Sequence, residues 1–167
     1  MNWFLITVGY SGLFPKAPGT AGSVVALFLA MAILAFVGVE TLFYAALLVS
    51  IVGVKLIDEY EKTSGTHDDK RIVIDELAGM WIALSIAPAA RFDTETLFEP
   101  HNGILVQIVL SFLLFRLYDI KKPSVIGRID KEAKGGLGVM GDDIIAGFAA
   151  GISSAVLWQI WLTIAAL

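Results

Sequence analysis

Five long apolar segments constrain this chain more than any other feature. They cover residues 23–39, 41–57, 72–90, 103–120 and 144–167, so each has at least 17 residues. A helix that crosses the hydrocarbon core of a bilayer needs about 20 residues, with about 17 as the lower limit. The sequence therefore predicts an all-α integral membrane bundle of about five transmembrane helices. We expect residues 1–167 to form a single membrane-embedded domain.

The composition excludes several other classes of protein. Hydrophobic residues make up 57% of the chain and charged residues 17%, against about 45–50% and about 25% in soluble domains. The absence of cysteine excludes disulfide scaffolds, thiolate zinc sites and cysteine nucleophiles. A net charge of −4 argues against a nucleic-acid partner, which would require clustered cations.

The segment over residues 2–14 is apolar but too short to cross a membrane, and glycines interrupt it. We expect it to be a short interfacial or re-entrant helix. Glu40 is the only polar residue between the first two long segments. Such a short connection predicts a tight helical hairpin.

The basic residues predict the orientation in the membrane. If five helices alternate, residues 1–22, 58–71 and 121–143 lie on one side, and the segment 91–102 lies on the other. The first set, with its adjoining helix ends, holds eleven of the twelve lysines and arginines, whereas the second holds only Arg91. The positive-inside rule therefore places the first set and the N-terminus in the cytoplasm.

Most of the unusual polar residues fall on that predicted cytoplasmic side, in three groups. The first is the glycine- and proline-rich stretch 13–23, which leads into a helix. Lys16, Gly19, Thr20 and Ser23 could hold an anion there, because free N–H groups at a helix start favour negative charge. A simple turn with Thr20 or Ser23 as the helix cap is the alternative.

The second group places Asp75 and Glu76 inside an apolar run, where unpaired carboxylates are costly. Together with Asp68 they suit a hard divalent cation with oxygen ligands. Gly79 shares a helix face with Asp75 and leaves room for a close partner. The alternative is a salt-bridged helix start.

The third group joins the end of the fourth segment to the start of the fifth. Arg116, Asp119 and Lys122 belong to the former, and Asp142 and Asp143 to the latter. Small residues at 147 and 151 predict close packing of the last helix, which would bring its acids toward the others. Arg116 could instead simply pair with Asp119, and the two aspartates could simply cap a helix. A carboxylate cluster flanked by cations suits metal-assisted phosphoryl chemistry.

In these motifs the sequence resembles the phosphatidylglycerophosphatase A family of bacterial lipid phosphatases. The matching elements occur in family order: Pro15-Lys16-Ala17-Pro18-Gly19-Thr20 with Gly22-Ser23; Ile72-Val73-Ile74-Asp75-Glu76 with Gly79; Phe115-Arg116 with Asp119 and Lys122-Pro123; and Gly135-Gly136, Gly138, Met140, Asp142-Asp143 and Ala146-Gly147. Asp69, Tyr118, Val139 and Gly141 depart from the common pattern without removing a candidate ligand.

The resemblance implies a magnesium-dependent enzyme that removes the terminal phosphate of phosphatidylglycerophosphate and yields phosphatidylglycerol. It also implies a place in phospholipid synthesis, at the cytoplasmic (inner) membrane of a bacterium. The oligomeric state is left open.

We expect six carboxylates to hold one or two Mg²⁺ ions: Asp68, Asp75, Glu76, Asp119, Asp142 and Asp143. Asp75, Glu76 and Asp143 are the candidates for catalysis, by activating an attacking water or by forming an aspartyl-phosphate. The expected phosphate-binding residues are Lys16, Gly19, Thr20, Ser23, Arg116 and Lys122.

Two other functions would explain part of this pattern. A small ion or proton transporter would also place carboxylates in a membrane, but near the midplane and on both sides of it. A non-catalytic scaffold gives no reason for so many acids. His67 adjoins Asp68, but no role is assigned to it, and His101 is predicted on the opposite side, which argues against a histidine-nucleophile phosphatase.

Overall fold

The computed structural model describes residues 2–87 and 103–167, with only the backbone at residues 130–131. The predicted outer segment 91–102, with Arg91 and His101, and the end of the third apolar segment lie outside the described residues. Every regular element in the described part is helical, which confirms the all-α class. The elements are α1 (Trp3–Ile6), a 3₁₀ turn (Ser11–Leu13), α2 (Pro18–Phe36), α3 (Val39–Ser64), α4 (Ile74–Ile86), α5 (Ile104–Lys121), α6 (Val125–Glu132) and α7 (Gly135–Ala165).

The predicted hairpin is present between α2 and α3. Gly38 has a φ of +125°, a conformation open to glycine and strained for other residues, so the chain reverses within two residues. Gly65, with a φ of +69°, ends α3 in the left-handed conformation common at helix C-termini.

Three described helices are long and apolar enough to cross a membrane: α2, α3 and α7. The expected count of about five is not confirmed. Helix α4 has 13 residues, which span about 20 Å at 1.5 Å per residue, and residues 88–102 lie outside the described part of the chain. Helix α5 has 18 residues but carries Arg116, Asp119 and Lys121 near its end.

Helix α4 is the centre of the bundle and contacts α2, α3, α5 and α7. Its residues from Leu77 to Leu84 are buried, and the Trp81 indole donates a hydrogen bond of 2.9 Å to the carbonyl of Ala26 on α2. The small residues of α7 allow close packing on α4, because Gly147 lies against the backbone of Gly79 and Gly151 against that of Ala83. The predicted packing stripe is therefore confirmed.

The N-terminal segment packs on the rest of the bundle rather than crossing it. The amide of Val73 donates a 2.9 Å hydrogen bond to the carbonyl of Ile6, which ties α1 to the residues just before α4. Phe4, Tyr10 and Phe14 are each 56% exposed, so the segment presents an apolar outer surface.

The five longer helices that carry the site alternate in direction. Helices α2, α4 and α7 begin at one end of the bundle, and α3 and α5 finish there. Residues from the starts of α2, α4 and α7 and from the end of α5 line one cavity, and Glu61 near the end of α3 contacts His67 of the cavity wall. The candidate site therefore collects helix termini from segments far apart in the sequence.

Candidate active site

A cavity of about 890 Å³ opens at this end of the bundle. Its walls come from the starts of α2, α4 and α7, the end of α5, and the connection between α3 and α4. The structure brings all six predicted metal ligands to this cavity: Asp68, Asp75, Glu76, Asp119, Asp142 and Asp143. It also brings four of the six predicted phosphate-binding residues: Lys16, Gly19, Arg116 and Lys122.

Three of the acids form a compact group, which we call the acidic trio: Asp75, Glu76 and Asp143. One carboxylate oxygen from each lies within 4.8 Å of the others. Asp75 and Glu76 stand in the first turn of α4, whereas Asp143 comes from α7. Gly79 makes this approach possible, because a Cβ atom there would lie only 2.5 Å from the Asp143 carbonyl oxygen.

The acidic trio is short of positive charge. Within residues 2–87 and 103–167, no ion pair involves Asp75 or Asp143, and Glu76 has only Arg116, whose Nη1 lies 3.8 Å from Glu76 Oε1. Two ionised carboxylates at such separations repel by about 3–4 kcal/mol at an effective dielectric constant of about 20. The arrangement therefore requires a bound cation or protons.

The trio fits a magnesium ion. Carboxylate oxygens are the ligands Mg²⁺ prefers, at about 2.1 Å from the ion. One oxygen from each acid of the trio lies within 4.8 Å of the others, so small side-chain shifts would bring all three to one ion. In addition, Glu76 Oε2 is buried without a hydrogen-bond partner, so one acceptor remains available to a ligand.

Arg116 contacts three other predicted site residues: Glu76, Asp119 and Ser23. Its Nη1 pairs with Asp119 and also donates a 3.2 Å hydrogen bond to Ser23 Oγ. The simple pair considered from the sequence is therefore present. Asp119 nevertheless stays at the site, because it lines the same cavity as the acidic trio.

Ser23 and Thr20 differ from the other predicted phosphate-binding residues. Ser23 is fully buried, and its hydroxyl donates to the carbonyl of Gly19 at 2.8 Å while accepting from Arg116. Its one proton is therefore used within the protein. Thr20 is exposed and is not part of the cavity wall.

Lys122 and Asp142 form the second cation–carboxylate pair of the cavity. Lys122 Nζ donates to Asp142 Oδ2 at 2.6 Å, and the carboxylate is almost fully buried. Lys122 ends α5 in the left-handed conformation, with a φ of 44°. This turn directs the chain from α5 into α6 beside the start of α7.

Gly19 brings the start of α2 against the trio. A Cβ atom at this position would overlap the carboxylate of Glu76 and lie 3.2 Å from Arg116 Nη2. Any side chain here would displace the two charged groups, so this glycine meets a steric requirement of the cavity.

Comparison with known proteins identifies the family of this chain. The family model for phosphatidylglycerophosphatase A matches residues 4–158. The chain belongs to the phosphatidylglycerophosphatase A family. The sequence resemblance is thus confirmed, and with it the assignment of the chain as a phosphatase enzyme.

Individual relatives support the family assignment. Phosphatidylglycerophosphatase A of Escherichia coli K12 is 34% identical over 159 residues, covering 95% of this chain and 83% of that protein. The Haemophilus influenzae Rd protein of the same name is 32% identical over 159 residues, covering 95% and 89%. A Bacteroides thetaiotaomicron protein, named as a proposed phosphatidylinositol-3-phosphatase, is 34% identical over 157 residues, covering 91% of each chain. No solved structure gives a significant match.

In this phosphatidylglycerophosphatase A family member, sequence reasoning missed several residues near the cavity. Lys70 and His67 line it, and His67 Nδ1 lies 2.6 Å from Glu61 Oε1. Asp58 on α3 accepts a 2.7 Å hydrogen bond from the amide of Gly136, which anchors the start of α7. The contacting residues are not separated by a regular helical spacing, so the sequence pattern does not predict them. Only the position of His67 next to Asp68 indicated that one of them could lie near the site.

The connection before α4 is held by a small polar cluster of Tyr60, Asp69 and Arg71. Arg71 Nη2 lies 2.6 Å from Asp69 Oδ2, and the Tyr60 hydroxyl donates to the same oxygen at 2.5 Å. The hydrogen bond from Arg71 holds the pKa of the Asp69 carboxyl well below its usual range. The guanidinium also lies 5.0 Å from the ring centre of Trp3, which links the cluster to α1.

Proposed function

We propose that this protein is a Mg²⁺-dependent phosphatidylglycerophosphatase of the bacterial inner membrane. It removes the terminal phosphate of phosphatidylglycerophosphate and releases phosphatidylglycerol for phospholipid synthesis. One observation carries this proposal: the acidic trio and the cavity cations meet in one cavity of a chain that belongs to this family.

Six carboxylates supply the metal-binding groups of the proposal. Asp75, Glu76 and Asp143 are the direct ligands, since their oxygens are already close together. Asp68, Asp119 and Asp142 line the wall of the same cavity. When bound there, Mg²⁺ would stabilise negative charge on the phosphoryl oxygens and lower the pKa of water.

Cations of the cavity bind the phosphates of the substrate. Arg116 is suited to the terminal phosphate because its Nε is a buried donor without a partner, and Ser23 holds its guanidinium in place. Lys122 adds positive charge beside it, Lys16 adds a further positive charge to the wall of the same cavity, and the backbone near Gly19 and Thr20 adds N–H groups at the start of α2. We assign Ser23 to positioning Arg116, since its own proton is donated to Gly19.

The reaction replaces a phosphorus–oxygen bond to glycerol with one to water. One carboxylate of the trio accepts the proton of the attacking water, and the glycerol oxygen takes up a proton as it leaves. The alternative is attack by a carboxylate to give an aspartyl-phosphate that water then hydrolyses. A substrate whose terminal phosphate is replaced by a thiophosphate made chiral with oxygen isotopes distinguishes them, because direct attack by water inverts the configuration at phosphorus, whereas the two successive displacements of the second route retain it.

The chain forms one membrane-embedded domain with the site at the cytoplasmic face. In this arrangement α2, α3 and α7 cross the bilayer, and α4 and α5 belong to the remaining spans of the predicted five. The placement of eleven of the twelve lysines and arginines on the site's side supports an N-terminus in the cytoplasm. The acyl chains of the substrate then remain in the inner leaflet.

Purified protein in neutral detergent tests the proposal. We expect phosphate release from phosphatidylglycerophosphate that requires Mg²⁺ and falls at least about a hundredfold in Asp75→Asn and Asp143→Asn. Glu40→Gln, which changes an exposed acid at the opposite end of α3, is the matched control. Near-normal turnover in both aspartate variants would overturn the proposal, and cation flux in vesicles without phosphate release would favour the transporter.

A further inference from the structure

The lysines and arginine of the cavity fall into two classes. Arg116 and Lys122 each form an ion pair with an acid of the site. Lys16 and Lys70 also line the cavity, but both are exposed and neither forms an ion pair within the described part of the chain. Among the described residues, therefore, no protein carboxylate neutralises these two positive charges of the cavity. We call Lys16 and Lys70 the outer lysines.

The backbone that carries Lys70 is held on both sides. A hydrogen bond of 2.8 Å from the amide of Ile72 to the carbonyl of Asp69 closes a turn around it. Within the same turn, the Asp69 carboxylate accepts hydrogen bonds from the amide and guanidinium of Arg71 and from Tyr60. Beyond it, Ile72 and Val73 are buried. Lys70 is thus presented to the cavity from a fixed turn rather than from a loose loop.

The backbone around Lys16 is restrained by its neighbours. Lys16 stands between Pro15 and Pro18, and Pro18 begins α2. Proline fixes its own φ and restricts the preceding residue, so little conformational freedom remains in this stretch. Gly19, the residue after Pro18, lies against Glu76 of the acidic trio. The outer lysines therefore reach the cavity from two separate, constrained segments.

The chemistry of the relatives' named substrates indicates what two such lysines would bind. Phosphatidylglycerophosphate and phosphatidylinositol 3-phosphate share one arrangement, a terminal phosphomonoester and a phosphodiester that joins the head group to diacylglycerol. The monoester is the group that reacts, so in the proposed function it lies at the acidic trio with Arg116 and Lys122. The phosphodiester is a second anion on the same molecule.

We propose that Lys16 and Lys70 bind this phosphodiester, and so select lipids that carry both phosphates over phosphatidic acid, which carries only the monoester. The proposal rests on the proposed function and assigns Lys70 a specificity role. Because the phosphodiester does not react, its contacts act on substrate binding more than on the chemical step. Because neither outer lysine takes part in the Arg116–Asp119 or Lys122–Asp142 ion pair, binding of the phosphodiester would leave both pairs intact.

The test compares two short-chain substrates in neutral detergent, phosphatidylglycerophosphate and phosphatidic acid, so that membrane surface charge does not contribute. In Lys70→Met we expect KM for phosphatidylglycerophosphate to rise about fivefold, with kcat within about twofold, as for loss of one exposed charge contact. The ratio of kcat/KM for the two substrates should fall by a similar factor. Lys70→Arg keeps the charge and should restore most of the ratio.

Lys62→Met is the matched control, because Lys62 is an exposed lysine on α3 that does not line the cavity. It should leave the ratio unchanged. An equal loss on both substrates in Lys70→Met, or no loss on either, would overturn the phosphodiester assignment while the wild type remains active. Wild-type protein that releases no phosphate from phosphatidylglycerophosphate would instead overturn the proposed function.

Discussion

Gly79 on α4 packs directly against the carbonyl oxygen of Asp143 on α7. A Cβ atom at position 79 would lie 2.5 Å from that oxygen and 2.5 Å from the ring of Phe115. The oxygen belongs to the backbone, so it cannot move away by changing a rotamer. The helix contact that assembles the acidic trio is therefore set by the size of one residue.

Gly79→Ala should separate α4 from α7. We expect a loss of stability of about 1–3 kcal/mol, as for overpacked cores, and a larger loss of phosphate release, because the carboxylates of Asp75 and Asp143 move apart. Thermal unfolding in detergent and the phosphate assay measure the two effects. Gly141→Ala adds the same methyl group beside a movable Ile129 side chain, at 3.2 Å, and should be milder in both. Equal effects would argue against this packing.

Ser23→Ala should weaken phosphate binding through Arg116. The variant removes the acceptor 3.2 Å from Arg116 Nη1, and one such hydrogen bond contributes about 1 kcal/mol, so we expect KM to rise about three- to tenfold. Thr20→Val should have the smaller effect, because Thr20 is exposed and lies off the cavity wall. The opposite order of the two KM values would show that Thr20, rather than Ser23, serves the phosphate.

The acids of this site could be predicted from the sequence because acidic residues are unusual within apolar segments, where an unpaired carboxylate is costly. Asp75 and Glu76 interrupt an apolar run, and Gly147 and Gly151 repeat at the spacing of a packed helix face. Alternation of helices then places these residues at one end, as the structure shows. The pair of Arg116 with Asp119 was an open alternative, since spacing alone does not separate a pair from a ligand. The pair of Lys122 with Asp142 joins residues 20 positions apart, and the sequence gives no spacing signal for it.

Other features depend on contacts that leave no periodic signal. Asp58 meets Gly136 across 78 positions of the chain, and Val73 meets Ile6 through backbone atoms alone. Apolar length also does not distinguish a helix such as α2, which is long enough to cross a membrane, from a helix such as α4, which contacts four neighbouring helices.

Asp69→Asn should destabilise the connection before α4 in a pH-dependent manner. The Arg71 hydrogen bond lowers the folded-state pKa of Asp69 below the unfolded value of about 4. A lowered carboxyl pKa contributes stability that is fully present above about pH 4 and is lost as the pH falls through the folded-state pKa. Unfolding temperatures of wild type and variant should thus differ by a constant amount between about pH 5 and 8. The difference in unfolding temperature should narrow below about pH 4. A difference that stays constant over the whole pH range would contradict a stabilising role for the ionised Asp69 carboxylate.

Asp58→Ala should remove the side-chain cap of α7 supplied by α3. The carboxylate accepts from the Gly136 amide at 2.7 Å, and loss of such a cap costs about 1 kcal/mol. Activity per folded molecule should change less than stability, because Asp58 does not line the cavity. Glu59→Ala, at the exposed neighbouring position, is the control, and equal unfolding temperatures for the two variants would contradict the capping role.

Magnesium should stabilise the folded protein by binding the acidic trio. A ligand that binds only the folded state adds about 1.4 kcal/mol at ten times its Kd, so the unfolding temperature should rise with Mg²⁺ concentration and return to its starting value with a chelator. Asp143→Asn should lose this rise because it removes one of the three close carboxylates, whereas Glu40→Gln should keep it. The readout does not depend on catalysis, so it separates metal binding from the chemical step. An equal rise in Asp143→Asn and in the wild type would place the ion elsewhere.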